Sequence, residues 1–317
     1  EHQRWAQAMQ EHLRLAAVVN LLLASVRGAV PAERLESSVV EDAEKLCSEH
    51  EGLQKPLAVP CEEFFENVIG LSQSMGISLL KSRHPEETGV VVAHYNEDLA
   101  WIDSVFDSPK YRVYVYSKGN VEPNITREHK WTKIWNVGRE GLTYLTHIIP
   151  YYDQFEPNMI FVPGNAWSNE KKRALLRATK AIVESDQLHM LGGFAPAYES
   201  SCDAVPGLLD FSISEWCSSL LKDPHADKNV CAMQDSHYAN YSEFRAEMLP
   251  SYLIGERGNA SCPLPISQYG VFATRRENLR RTDIGRYYKM HMSLNWKKNP
   301  ADGHYMERLW AELLQMK

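Results

Sequence analysis

The stretch GVVVAHYNEDLAW, Gly89 to Trp101, decides how the rest of the chain is read. Gly89, Val90, Val91 and Val92 run without a polar break into Ala93. A short apolar run ended by polar residues predicts a strand buried on both faces, the state of a central parallel strand. His94, Tyr95, Asn96, Glu97 and Asp98 follow at once. In open α/β sheets the ligand crevice lies beyond the carboxyl ends of such strands, so this polar cluster is a candidate binding loop. The plain alternative is a strand-to-helix connection in which Asn96 or Asp98 caps the next helix.

Downstream, Leu99, Trp101, Ile102 and Val105 predict a short helix, and the alternating YRVYVY of Tyr111–Tyr116 predicts a second strand. Lys118 closes that strand, either as a phosphate contact or as a solvated turn residue. Asn136, Gly138, Arg139 and Glu140 open a helix whose inward face carries Leu142, Leu145, Ile148 and Ile149. A helix start with free N–H groups suits an anion, and the Arg139 guanidinium adds a fork of donors. The other reading has Asn136 as a cap and Arg139 and Glu140 as structural. Pro150 then ends or kinks the helix.

Asn158–Pro163 predicts a third buried strand ending at Gly164 and Asn165, and Ser168 is expected to cap an amphipathic helix over 169–185. Residues 192–267 read as loops and short elements; His225, Asp227, Asp235 and His237 are metal-ligand types there without ligand spacing. Tyr269–Ala273 predicts a further strand. Arg275, Arg276, Arg280, Arg281 and Arg286 follow it as a basic helix, facing either a diphosphate or solvent. A last helix covers 304–315, with Glu307 in its first turns. The order of strands and helices predicts an α/β domain over 88–317, with a mostly parallel central sheet flanked by helices. Residues 1–87 read as a separate helical appendage or stem without chemistry of its own, open to a protein partner.

The 317 residues carry a net charge of −7, which argues against a general nucleic-acid surface. The longest apolar run, Leu15–Val26, is too short for a bilayer and is broken by Asn20. The chain opens on Glu1 rather than Met, so an upstream signal or anchor stays open. Six cysteines without a C-x-x-C pair, and sequons at Asn124, Asn240 and Asn259, lean toward a secretory lumen, Golgi or extracellular. The alternative is a cytoplasmic protein with buried thiols.

From Gly89 onward the chain resembles a eukaryotic domain family catalogued without an assigned function. The blocks that carry the likeness are V-V-A-x-Y-N-E-D-L-x-W at Val91–Trp101 and N-x-G-R-E-x-x-x-Y-L at Asn136–Leu145, running on to Asp153. Phe161–Gly164, Gly270–Leu279 and E-R-L-W at Glu307–Trp310 complete them. That family in turn looks like nucleotide-sugar glycosyltransferases of the A-type, Rossmann-like fold. The likeness implies that His94, Tyr95, Asn96, Glu97 and Asp98 hold the nucleotide and that Asn136, Gly138 and Arg139 sit near the donor. It places Glu307, with Glu140 as a further carboxylate, in the catalytic position. The acceptor is then a hydroxyl of a glycan, protein or small molecule.

One departure matters. Where a D-x-D metal motif is expected, this chain has Pro163, Gly164 and Asn165. A hard cation such as Mn²⁺ or Mg²⁺ loses its usual oxygen ligands there. Arg139, or Arg275 and Arg276, would then neutralise the diphosphate; otherwise Glu97, Asp98 and Glu140 supply the missing oxygens, or the fold binds without catalysis. A hydrolase has no G-x-S-x-G or H-E-x-x-H to stand on.

Overall fold

The computed structural model describes residues 87–189, 191, 194–195, 198–199, 212, 214, 217–218, 222, 236–249, 265–267, 269–298 and 300–314. The expected helices of 1–80, the sequon at Asn259, the residues His225, Asp227 and Asp235, and every cysteine except Cys217 lie outside them.

The sheet is built on β1 (Thr88–His94), with β2 (Tyr111–Ser117) and β4 (Asn158–Pro163) parallel to it on either side. β3 (His129–Lys133) adds in parallel beyond β2. β8 (Phe272–Arg275) runs antiparallel to β4 and is followed by the two-residue β5 (Phe194–Ala195). The order is β3-β2-β1-β4-β8-β5. A separate antiparallel pair joins β6 (Tyr198–Glu199) to β7 (Pro265–Ile266).

Because side chains alternate along a strand, β1 contributes to two apolar layers. Val91 joins Tyr114, Tyr116, Met159 and Phe161 on one face. There α2 (Arg139–Tyr151), α6 (Ile284–Leu294) and α7 (Asp302–Leu314) cover the sheet. Val90 and Val92 join Val113, Val115, Ile160 and Val162 on the other, under α1 (Trp101–Val105) and α3 (Glu170–Glu184). Full burial of Val90, Val91 and Val92 matches the expectation of a central strand.

Local rules set several boundaries. Asn169, rather than Ser168, caps α3: its Oδ1 accepts the Lys172 N–H at 3.1 Å. The basic helix is two helices. α5 (Arg276–Arg281) stops at Thr282, and Asp283 caps α6 by accepting the Gly285 N–H at 2.9 Å. α4 (Tyr241–Met248) is capped by Asn240 and pinned to α7 by the buried Arg245–Glu312 ion pair. Under α2, His147 meets the Tyr116 hydroxyl at 2.9 Å and stacks on Tyr151 at 4.4 Å. Burial pushes its pKa down to about 3, and does the same to His291. Among the described residues no helix is long and apolar enough to cross a membrane.

Candidate functional site

Two adjacent parallel strands, β1 and β4, end side by side at the carboxyl edge of the sheet. The loops that leave them meet. A Cβ on Gly164 would stand 2.8 Å from Glu97 Oε2, so the β4 turn has to be bare to lie against that carboxylate. Glu97 in turn accepts the N–H groups of Tyr95 (2.6 Å) and Asn96 (3.1 Å), which folds the loop back on itself.

His94 braces that loop from beneath. A carbonyl only accepts, so its Nε2 carries the proton toward the Glu97 carbonyl (3.1 Å), and Nδ1 accepts the Ser117 hydroxyl (2.9 Å). With both nitrogens engaged and burial lowering its pKa, His94 is a neutral strut. Asn96 Oδ1 accepts the N–H groups of Asn120 (2.9 Å) and Val121 (3.2 Å). Asp98 accepts from Ala100 N–H and Asn124 Nδ2, and the Asn124 bond leads in lowering its pKa. Tyr95 alone in this stretch turns a large ring to solvent.

The second wall is the start of α2. Gly138 and Arg139 both take positive φ, 66° and 52°. Left-handed backbone is natural for glycine and strained for arginine. Lys118 holds the turn in place: half-buried, its Nζ donates to the carbonyls of Val137 and Arg139. Burial lowers its pKa to about 7. Its ammonium is therefore engaged inside the protein, neither solvated nor aimed at a phosphate. Half-buried Asn136 precedes the turn, and the Gly138 N–H goes to the Lys297 carbonyl at 2.9 Å.

α7 supplies the third wall. A Cβ on Gly303 would lie 2.8 Å from Arg139 Cδ, so the aliphatic stem of Arg139 passes directly over the helix start. Arg139 Nη1 donates to His304 Nε2 at 2.7 Å. Arginine has only donors, so His304 is the neutral Nδ1–H tautomer, with that nitrogen 3.8 Å from Glu307 Oε2. Burial leads in lowering the His304 pKa, against the pull of Glu307 and Glu140. Glu307 Oε1 accepts the Tyr269 N–H. Glu140 Oε2 lies 3.6 Å from Arg139 Nε. Burial opposes the charge on Glu140, but Arg139, its own N–H, His304 and Lys172 outweigh that and lower its pKa.

Lys172, in the first turn of α3, completes the group. It donates to Asn165 Oδ1 at 2.7 Å, and burial lowers its pKa against the attraction of Glu140, Glu307 and Glu97. The structure thus gathers Glu97, Arg139, Glu140, Gly164, Asn165 and Glu307, all singled out in the sequence, and adds Lys172 and His304. Neither of these two announced itself: one lies in the polar run Glu170–Arg173, the other is a lone histidine.

Backbone strain concentrates at the same place. Five described residues have positive φ, and four of them, Gly138, Arg139, Tyr269 and Gly270, touch this cluster. Gly270 faces Glu140, whose Cγ would be 3.0 Å from an added Cβ. Such outliers cost of order 1–3 kcal/mol each for a non-glycine residue and gather where geometry serves a ligand.

Arg275 and Arg276 stand elsewhere. Arg275 pairs in register with Asn158, at the amino end of β4, and both arginines are bridged to Glu277. They lie at the edge of the sheet opposite the cluster. Of the sequons, Asn124 is exposed, with Oδ1 accepting the Leu99 N–H at 2.8 Å, and Asn240 is the α4 cap. Among the described residues no three His, Cys, Asp or Glu side chains are grouped to hold a metal ion. With Pro163, Gly164 and Asn165 at the β4 end, the residues present do not fit a D-x-D cation site, and no step is routed through one.

The fold and site together define an α/β domain with a strained cluster of charged side chains at the carboxyl ends of its central strands. A family model described as a protein of unknown function, DUF3431, matches residues 90–317. The chain belongs to that family. No curated protein and no solved structure matches it.

Proposed function

We propose that this site transfers a sugar from a nucleotide-sugar donor to a hydroxyl acceptor, as in A-type glycosyltransferases. The observation that carries the proposal is the meeting of Arg139, Lys172 and Glu307 at the carboxyl ends of β1 and β4. That edge is where open α/β sheets bind ligands. Arg139 and Lys172 face the diphosphate and stabilise the charge that develops as it leaves. Glu307 accepts the proton of the attacking hydroxyl. The bond from acceptor oxygen to anomeric carbon forms, the bond from that carbon to the diphosphate breaks, and the electron pair leaves with the phosphate. The loop of Tyr95–Asp98 lines the nucleotide side.

The test is a thermal-shift screen against nucleoside diphosphates and their sugars, each with Mn²⁺, with Mg²⁺ and with chelator. A ligand at a hundred times its dissociation constant adds about 2.7 kcal/mol, a rise of about 5 °C or more for a domain of this size. We expect a shift with one nucleotide class, in chelator as well, that Lys172→Met abolishes. Glu307→Gln should keep the shift and lose transfer; full transfer by that variant removes Glu307 from the base role. No shift with any nucleotide overturns the reading.

A second reading has one observation in its favour. The cluster is satisfied from within: Arg139 on His304 and Glu140, Lys172 on Asn165, Glu307 on Tyr269. A scaffold that binds without turnover has such a network, and nucleotide binding without transfer by the unmodified protein would select it. A secretory setting belongs with the transferase reading. It predicts paired cysteines and an occupied Asn124, both read by intact-mass spectrometry before and after reduction and deglycosylation.

A further inference from the structure

Arg139 and His304 meet as a cation and a neutral ring. Arg139 Nη1 donates to His304 Nε2 at 2.7 Å, and that nitrogen accepts only while it carries no proton. The contact therefore selects the uncharged imidazole, since a second positive charge there would repel the guanidinium. Other neighbours pull the opposite way. Glu307 Oε2 lies 3.8 Å from His304 Nδ1, and Glu140 adds a second carboxylate from α2. Lys172, from α3, draws on the same two carboxylates, and Arg308 Nη1 donates to the His304 backbone carbonyl at 2.8 Å. Burial and Arg139 keep the ring neutral, while Glu307 and Glu140 favour its charged form.

The guanidinium can leave that contact while the backbone stays. The Arg139 carbonyl is held by Lys118 Nζ, and the stem passes over bare Gly303. The head is less enclosed. The side chain is 27% exposed, Nε lies 3.6 Å from Glu140, and among the described residues Nη2 has no partner. An anion arriving from solvent thus meets an open fork of donors. Once it pairs with Arg139, the charge that kept His304 neutral is cancelled, and Glu307 and Glu140 remain. The negative charge of the anion favours the imidazolium further. On taking a proton, His304 turns from acceptor to donor at Nε2. The anion gains a second donor, and Nδ1–H still faces Glu307.

We infer that His304 is a proton-coupled latch on Arg139: it holds the guanidinium in the arrangement seen here and takes up one proton from solvent when a diphosphate draws that guanidinium away. The diphosphate rests on the transferase reading; the coupling holds for any dianion at Arg139. Coupling is reciprocal: an anion that raises the proton affinity of His304 binds more tightly when His304 is protonated. Affinity therefore falls as pH rises through the titration of His304, by at most about tenfold per pH unit for one proton. When the diphosphate departs, the proton returns to solvent and the ring accepts from Arg139 again.

The experiment is isothermal titration of the full chain between about pH 5 and about pH 8, in pairs of buffers that differ in heat of ionisation. The probes are UDP-glucose, GDP-mannose, ADP-glucose and inorganic sulfate, whose anionic groups do not titrate in that range. Each is run with chelator and with Mn²⁺. Net proton uptake on binding is expected, with affinity that falls as pH rises. In His304→Gln the amide oxygen still accepts from Arg139 but takes no proton, so uptake vanishes and affinity is flat with pH. The buffer dependence of the unmodified protein reads the uptake without any variant. Proton release, no net proton exchange, uptake that survives in His304→Gln, or affinity that rises with pH would each overturn the inference. Binding seen only with Mn²⁺ would too, because the cation then balances the charge. Sulfate bound with proton uptake, and no nucleotide sugar bound, leaves the latch standing and fells the transferase reading. A nucleotide sugar bound without proton uptake does the reverse. No binding of any probe fells both.

Discussion

Replacing Lys118 by Met tests how the strained turn at Gly138 and Arg139 is held. In the native protein the half-buried Lys118 ammonium donates to two carbonyls, and burial lowers its pKa to about 7. In the unfolded chain a lysine titrates near 10.4. Between those values the unfolded state binds the proton and the folded state does not, so stability rises with pH through that window. At low pH the folded state carries the full burial penalty of the charge. From about pH 6 to about pH 9 the native protein should gain about 2.7 kcal/mol from this one group. Lys118→Met has no such group and loses that slope. It also leaves the carbonyls of Val137 and Arg139 without their donor, at about 1–3 kcal/mol. The variant should therefore be nearly neutral at the acidic end and clearly destabilised at the alkaline end. Urea unfolding of both proteins at three pH values measures the difference. Parallel stability curves would refute the reasoning, because they would mean that Lys118 keeps its proton throughout and the two carbonyls outweigh burial.

Three further outcomes follow from the same geometry. Gly138→Ala should cost about 1–3 kcal/mol, since φ of 66° is strained for alanine and its Cβ would stand 2.4 Å from Leu142 Cβ; thermal melting reads it. Arg245→Met breaks a buried pair and strands Glu312, at about 3–5 kcal/mol, while Arg245→Met with Glu312→Met together should recover most of it in denaturant titrations. His147 and His291 both titrate near about 3 when folded and near 6.5 when unfolded. Stability present above pH 6.5 is therefore lost as pH falls, at about 1.4 kcal/mol per pH unit for each. His147→Phe should halve that part of the slope in acid unfolding.

Why some of this was legible and some not has physical causes. β1, β2 and β4 are buried or alternate strictly, so apolar runs betray them, and the carboxyl-edge rule then points to Glu97 and Asn165. β3, His129–Lys133, escapes because an edge strand needs only one neighbour and its residues here are polar or exposed. Arg275 and Arg276 show how much rests on strand direction. A strand following a helix reads equally well up or down, and β8 runs antiparallel, so the arginines at its end emerge at the amino end of β4. Pairings far apart in sequence are the least legible. Arg139 meets His304 across 165 positions, and nothing local to either residue signals the other. Yet both sit on helices whose apolar faces were plain. Once α2 and α7 pack on the same sheet face, through Tyr144 and Trp310, their amino-terminal turns are brought together and Arg139 has to find its partner there. The polar site is thus a consequence of apolar packing, and its chemistry is fixed by which few polar residues the sequence keeps at those two helix starts.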